Sequence, residues 1–330
     1  MAFGKFRFFL ILRQLAVSES ERLPASMVAL YLTRHSTSRL HLQTRLKNKL
    51  MLRTLFIVHL ALVLSLQASV RARADTARTT SISSWFEVTS FAGGPSSERV
   101  LALCEETRAE LFRVWVEQSE ATSWEPRCKI NLHPTRAHYV RKVGVEAGQT
   151  NGCSSIQLHD GKVVLREIDL LLDHAGELTA LPHELTHVIL ADLLKGRQPP
   201  HWLDEGIAML ADTPAKQNLH LRDCREAMVS AKAMPTSQLL ALETFTSPEQ
   251  MPAFYGQSLL LVKMLADQSS PATIIQFAND SLDQGTVAAL KTHYEINGLD
   301  ELERAWKAYA FQQLSSPVPL TVVVTVRFKP

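Results

Sequence analysis

The sequence predicts an α+β fold with a β-rich N-terminal half, a hairpin and a helical C-terminal half. Segments with strand character lie before residue 172, whereas later segments carry apolar residues at helical spacing. Strands followed by helices are typical of α+β proteins. Hydrophobic residues make up 46% of the 330-residue chain and charged residues 21%, a composition that allows a sizeable core.

The N-terminal half begins with residues 75–84, for which a polar lead-in is expected. The next residues, SWFEVTSF, have strand character. A helix is predicted over residues 96–118, because Ser96 or Ser97 can cap its start. Its apolar face is formed by Val100, Leu103, Leu111, Val114 and Trp115. The strand that follows, in RCKINLH, is limited by Pro134.

A hairpin is the clearest local signal. Asp160-Gly161 separates two β-rich runs, SSIQLH and KVVLREIDLLL, and predicts a tight turn of the primed type. The chain then becomes helical over residues 176–196. Pro182 is expected in the first turn of the ordered helix, and Lys195-Gly196 is a C-terminal stop signal.

The C-terminal half is predicted to be mostly helical. A second helix over residues 199–212 follows a double proline, and helical character continues to about Gln313. Its strongest segments are FYGQSLLLVKMLADQ and DELERAWKAYAFQQL. The final residues, VPLTVVVTVRFKP, are β-prone, and the sequence does not assign them to an element.

Charge separates the first 74 residues from the rest of the chain. They carry 12 Lys/Arg against two acids, Glu19 and Glu21, whereas the remainder has 23 basic and 31 acidic residues. A basic head on a mildly acidic body argues against nucleic-acid binding by the body. It indicates instead that the head is not part of the folded domain.

The head contains a predicted signal peptide over residues 51–74. Arg53 supplies the positive start, Leu55 to Leu66 an apolar run, and Ala72-Arg73-Ala74 a cleavage site. We therefore expect an exported protein that is periplasmic, envelope-associated or secreted. The alternative is an uncleaved N-terminal anchor, although a membrane-spanning helix needs about 20 apolar residues.

Two domain-level expectations follow from this signal peptide. Residues 1–50 are interpreted as a start-site artefact or a leader outside any domain, and residues 75–330 as the domain itself.

All four cysteines lie after the cleavage site: Cys104, Cys128, Cys153 and Cys224. Export permits two disulfides in any of three connectivities, and four free buried thiols are the alternative.

The sequence HELTH, residues 183–187, predicts a metal site. His183 and His187 are four residues apart, so both imidazoles project from one face of a helix and can share one ion. Zn²⁺ accepts imidazole nitrogens and leaves one position for water in catalytic sites. Glu184 lies beside them and can act as the general base.

The third ligand is expected from the second helix. Glu205 follows His187 by 18 residues, and a short turn can fold its helix back to complete a two-histidine, one-glutamate set. His201 and Asp204 are alternative third ligands. Asp204 could instead orient a ligand histidine by accepting its second N–H group.

HELTH followed by WLDEGIA resembles the gluzincin superfamily of zinc metallopeptidases, in particular the bacterial peptidase MA-like domains. The downstream segments FYGQSLLLVKML and LDELERAWKAY are also similar, and the resemblance covers roughly residues 130–312. It implies a zincin-like fold, zinc bound by His183, His187 and Glu205, and Glu184 as the catalytic base. The chain departs from the pattern at Met209, where many gluzincins have an acid that holds a histidine.

Hydrolysis of an amide also needs a group that stabilises the developing oxyanion. Tyr255 resembles the tyrosine that faces the zinc in related enzymes, and His220 and His293 are weaker candidates. Trp306 is expected in the core.

The leading functional hypothesis is an exported zinc peptidase acting on a peptide or protein. The alternatives are a catalytically weak or inactive zinc-bound binding or scaffold protein of the envelope, and a membrane-anchored quality-control factor. The oligomeric state, the substrate and the choice between endo- and exopeptidase are not indicated.

Overall fold

The computed structural model describes residues 78–116, 123–145 and 147–315. Its strands are β1 (Arg78–Ile82), β2 (Phe86–Phe91), β3 (Cys128–His133), β4 (Gly152–His159) and β5 (Lys162–Leu171). They form one sheet in the order β1-β2-β3-β5-β4. The outer pairs, β1–β2 and β4–β5, are antiparallel, and the inner pairs β2–β3 and β3–β5 are parallel. Within the described residues the sheet is therefore mixed, with β1 and β4 at its edges.

Helices occupy most of the chain after the sheet. The described helices are α1 (Ser97–Trp115), α2 (Arg136–Val143), α3 (Leu181–Leu193), α4 (His201–Leu210), α5 (Pro214–Val229), α6 (Thr236–Ala241), α7 (Gln250–Gln268), α8 (Pro271–Gln284), α9 (Thr286–Tyr294) and α10 (Leu299–Ser315). Only α1 and α2 of these lie between strands. The arrangement agrees with an α+β fold, as the sequence predicts.

The local signals that act over short distances are confirmed. Asp160 and Gly161 have φ values of 49° and 70°, as a primed hairpin turn requires. Ser96 caps α1 by accepting the N–H of Arg99 at 3.2 Å. α3 begins at Leu181 with a proline in its first turn, and the predicted end of that helix is marked by positive φ at Lys195-Gly196.

Two elements differ from the prediction. Residues 75–84 were expected as a polar lead-in, but Arg78–Ile82 form β1, which pairs with β2 through the backbone. Its side chains are mostly exposed, so no apolar alternation marks it in the sequence. α2 was also not predicted; it follows Pro134 directly and is capped by Thr135, which accepts the N–H of His138.

The sheet is covered on both faces. Leu170 belongs to the main core, which α1 and α3 share, whereas the adjacent Leu171 packs with Tyr139 and Val143 of α2. Because successive strand residues point to opposite faces, α2 covers the face opposite to α3. The predicted core residue Trp306 is fully buried.

All four cysteines are free thiols, so the alternative to two disulfides applies. Cys104, Cys128 and Cys224 are buried, and Cys153 is half-buried.

Three of the predictions concern residues that the structure does not describe. The signal peptide, residues 1–50 and the β-prone C-terminal segment lie outside the described residues. Among the described helices, none is both long and apolar enough to cross a membrane.

α4 and α7 pack very closely at Gly206. A methyl group on Gly206 would lie 2.3 Å from Val262 Cγ2 and 2.8 Å from the carbonyl oxygen of Ser258. Real side-chain contacts are not that short, so one helix would have to move. This contact holds α4, which carries Glu205, between α3 and α7.

Replacing Gly206 by alanine should therefore destabilise the fold. We expect a loss of about 1–3 kcal/mol, because overpacking a close helix contact forces backbone shifts that outweigh alanine's better helix propensity. Urea unfolding followed by circular dichroism measures the loss. Asn218→Ala on the exposed side of α5 is the control, and equal stability of the two variants would contradict the packing argument.

Candidate metal centre

α3 places two histidines on one buried face. His183 and His187 lie one turn apart, with ring centroids separated by 5.0 Å at an interplanar angle of 77°. Both residues are buried, as are their apolar neighbours on the helix. The spacing thus produces the shared face that the sequence predicts.

α4 brings Glu205 to the same place. One ligand atom from each of His183, His187 and Glu205 lies within 4.8 Å of the other two, and all three residues are buried. Within the group, His183 Nε2 lies 3.6 Å from Glu205 Oε2. These three residues therefore form a group that could hold a metal ion.

Each histidine is oriented from behind by an aspartate. His187 Nδ1 lies 3.0 Å from Asp204 Oδ1, and His183 Nδ1 lies 3.3 Å from Asp212 Oδ2. A neutral ring that donates its Nδ1–H carries its lone pair on Nε2, so this contact would fix the nitrogen that is offered to a metal. Asp204 is thus placed to orient His187, a candidate ligand, and it does not belong to the three-residue group itself.

Charges in the group are strongly coupled. Burial disfavours the charged form of His187, yet the charge and hydrogen bond of Asp204, helped by Glu205 and Glu184, raise its pKa to about 10. Burial likewise disfavours ionised Glu205, but its hydrogen bond to His183 and the nearby imidazoles lower its pKa to about 2. Glu205 is therefore ionised at neutral pH.

The residues present suit a divalent cation. Two imidazole nitrogens and one carboxylate are ligands that such ions accept. Four buried carboxylates meet at this point: Glu184, Asp204, Glu205 and Asp212. The facing lysine, Lys216, lies 2.9 Å from Asp212 Oδ1 and offsets only part of this negative charge. A divalent cation bound here would offset more of it.

Glu184 lies between the two histidines in sequence and packs against the start of β4. A methyl group on Gly152 would lie 2.7 Å from Glu184 Cγ and 2.8 Å from Oε1. The carboxylate therefore faces the backbone of an edge strand. Only glycine at position 152 leaves room for it.

Among the three residues proposed to stabilise the oxyanion, Tyr255 is the one whose hydroxyl is affected by the charges of both Glu184 and Glu205. Burial, together with the charges of Glu205 and Glu184, holds its pKa well above the usual value, so the hydroxyl stays protonated and can donate. Its ring packs 6.0 Å from that of His220. His220 lies behind the group, 3.9 Å from Asp212, and His293 hydrogen-bonds Asp280 on α8.

The other alternative ligand, His201, lies beside the group. Its Nε2 is 3.9 Å from Glu205 Oε1, and its ring packs on Phe254 at 4.6 Å. Among the described residues, the group whose ligand atoms converge does not include it.

Asp212 was missed by the sequence analysis. The position four residues after Glu205, where many gluzincins have an acid, is Met209, a fully buried apolar residue. Asp212 lies seven residues after Glu205, and seven residues are about two helical turns. The acid seven residues after Glu205 is therefore the feature of the sequence that indicates Asp212.

Comparison of the sequence with protein-family models and with curated proteins finds no match.

Removing either aspartate should weaken metal binding without removing a ligand. Asp204→Ala and Asp212→Ala should each lower the affinity for a divalent cation such as Zn²⁺ by about 10–100-fold, because the ring of one histidine loses its orientation and tautomer. Competition with a chromogenic chelator measures the affinity. Asp267→Ala, which breaks an aspartate–lysine pair on α7, should leave it unchanged. Wild-type affinity in both variants would contradict an orienting role.

Proposed function

We propose that the chain is a zinc-dependent metallopeptidase of the gluzincin type with a zincin-like fold. The observation that carries the proposal is the convergence of His183, His187 and Glu205, with Glu184 adjacent to them. The HExxH motif and its helical setting support the same conclusion.

The donor set favours zinc among divalent cations. Magnesium and calcium prefer sites built from oxygen ligands, whereas two imidazoles with one carboxylate are common at catalytic zinc. Three protein ligands leave a position for substrate or water, and structural zinc sites usually have four. When bound, zinc supplies Lewis-acid chemistry, since it polarises a carbonyl and acidifies a water.

The chain's own residues would then move one proton and stabilise one charge. A carboxylate oxygen of Glu184 accepts the proton of the attacking water and returns it to the leaving amine nitrogen. The hydroxyl of Tyr255 donates a hydrogen bond to the oxyanion that forms at the carbonyl. Asp204 and Asp212 keep the two imidazoles in place while these charges change.

The position of β4 supports a peptide as substrate. β4 is an edge strand of the described sheet, and its first residue, Gly152, lies against Glu184. An edge strand presents unpaired N–H and C=O groups that can bind an extended peptide. A peptide bound there would carry its amide bonds past the Glu184 carboxylate.

The second candidate function is a zinc-bound binding or scaffold protein with weak or no activity. Met209, in place of the acid that many gluzincins have, favours it. Asp212 compensates by accepting the N–H of His183, and Glu184 has no role in a protein that only binds. The peptidase is therefore the better supported of the two.

The proposal includes export by the signal peptide at residues 51–74. Mass spectrometry of the protein recovered from its native envelope should show a chain that starts near Asp75. Recovery of intact residues 1–50 in the mature protein would contradict both the start site and the cleavage.

His183→Ala and His187→Ala should each lose zinc. The remaining two ligands bind weakly, and the melting temperature should fall because metal binding contributes to folding stability. Elemental analysis and thermal unfolding with and without a chelator test this. The exposed His159→Ala is the control, and unchanged zinc content in both site variants would rule out the metal centre.

Glu184→Gln should keep zinc and the fold but lose hydrolysis. The amide preserves the shape of the side chain but cannot accept the proton, so we expect a loss of at least about 10²-fold in kcat. Cleavage of a peptide library measures it, with the exposed Glu226→Gln as control. Retained turnover would exclude Glu184 as the base. Absence of turnover in the wild type would favour the binding protein.

A further inference from the structure

We propose that Tyr139 and Thr150 are positioning residues for Glu184. They fix the backbone of Gly152, and the carboxylate of Glu184 packs against that backbone. The inference rests on the proposed role of Glu184 as base, and it concerns residues outside the three-residue metal group.

Packing orients the Glu184 carboxylate. Among the described residues, no side chain or backbone group forms a hydrogen bond with it. It packs instead against Gly152, with Ala180 beside it: a methyl group built on Gly152 would be 2.8 Å from both Glu184 Oε1 and Ala180 Cβ. Whatever holds Gly152 in place therefore sets the direction of the carboxylate.

The carbonyl of Gly152 points away from the sheet. The preceding residue, Asn151, accepts the N–H of Leu171 in β5 through its own carbonyl at 2.8 Å. Because neighbouring carbonyls alternate along a strand, the Gly152 carbonyl lies on the open side of β4. Thr150 Oγ1 satisfies it by donating a hydrogen bond at 2.6 Å.

Tyr139 completes this hydrogen-bond chain. The Thr150 hydroxyl has one proton, which it can give to Gly152 or to the carbonyl of Ala147 at 2.9 Å. Because carbonyls only accept, the hydroxyl of Tyr139, 2.7 Å from Thr150 Oγ1, must be the donor in their contact. The ring of Tyr139 is fully buried under the sheet, so this series of hydrogen bonds begins at a side chain that the core holds in place.

α2 holds the same loop from its exposed side as well. Arg136 donates to the carbonyl of Gly148 at 3.1 Å and to that of Thr150, and its second amino group donates to Asn151 Oδ1 at 2.5 Å. The residues that precede Gly152 are thus fixed by two side chains of one helix. That helix has no part in the metal group, so its effect on Glu184 is separable from metal binding.

The test compares variants that remove one link of the chain. Tyr139→Phe and Thr150→Val should each lower kcat by about tenfold, because a misplacement of about 1 Å can cost up to about 100-fold. KM and zinc affinity should stay within about twofold of wild type. Thr150→Ser, which keeps the hydroxyl, should restore kcat. Tyr309→Phe is the matched control. It removes a tyrosine hydroxyl that donates to Asp267 and belongs to a helix far from Glu184 in the sequence.

A second measurement does not depend on turnover. The side-chain carboxyl ¹³C signal of Glu184 should shift in Tyr139→Phe and Thr150→Val and stay in place in Thr150→Ser and Tyr309→Phe. Wild-type kcat together with an unshifted signal in folded Tyr139→Phe would overturn the inference. The inference would also be overturned if Tyr139→Phe or Thr150→Val lost zinc together with activity, or if Thr150→Ser did not restore kcat.

The two proposals can fail separately. If the wild type cleaves no peptide, the proposed function fails, and the carboxyl signal still decides whether Tyr139 and Thr150 position Glu184. If the wild type cleaves and Glu184→Gln does not, but Tyr139→Phe behaves as wild type in both measurements, only the positioning inference fails.

Discussion

Burial of charge between α3 and α4 is the constraint on which the rest of the structure depends. Ionised carboxylates cost several kcal/mol to bury unless each meets a partner. Here the aspartates meet ring nitrogens, Glu205 meets His183, and Lys216 meets Asp212. Any one of these groups would be unfavourable alone, so the helices that carry them must pack in one register.

Glycine enforces that register at two places. Gly206 lets α4 approach α7, and Gly152 lets the edge strand approach Glu184. Both contacts are too short for any other residue without movement of the backbone. The sheet and the helical half are therefore coupled through the centre of the site, where side-chain volume is limiting.

The sequence predicts the features that depend on neighbouring residues. Asp160-Gly161 fixes the hairpin, Ser96 starts α1, and the spacing of His183 and His187 fixes their shared face. It does not predict β1, because a strand held by backbone pairing at an exposed edge needs no apolar pattern. The sequence also does not predict the sheet order or the roles of Asp212 and Gly152, because these depend on contacts with residues distant in the chain.

The ligand set and the surroundings of Glu184 come from different parts of the chain. All three candidate ligands and both orienting aspartates lie within residues 183–212, on two consecutive helices and the residues just after them. The contact against Glu184 comes from Gly152, at the start of the edge strand β4. The candidate ligands can therefore converge once this short stretch of chain is ordered, whereas the contact with Glu184 also requires β4 to be in place. A measurement of metal content would therefore not show by itself whether β4 has docked against Glu184.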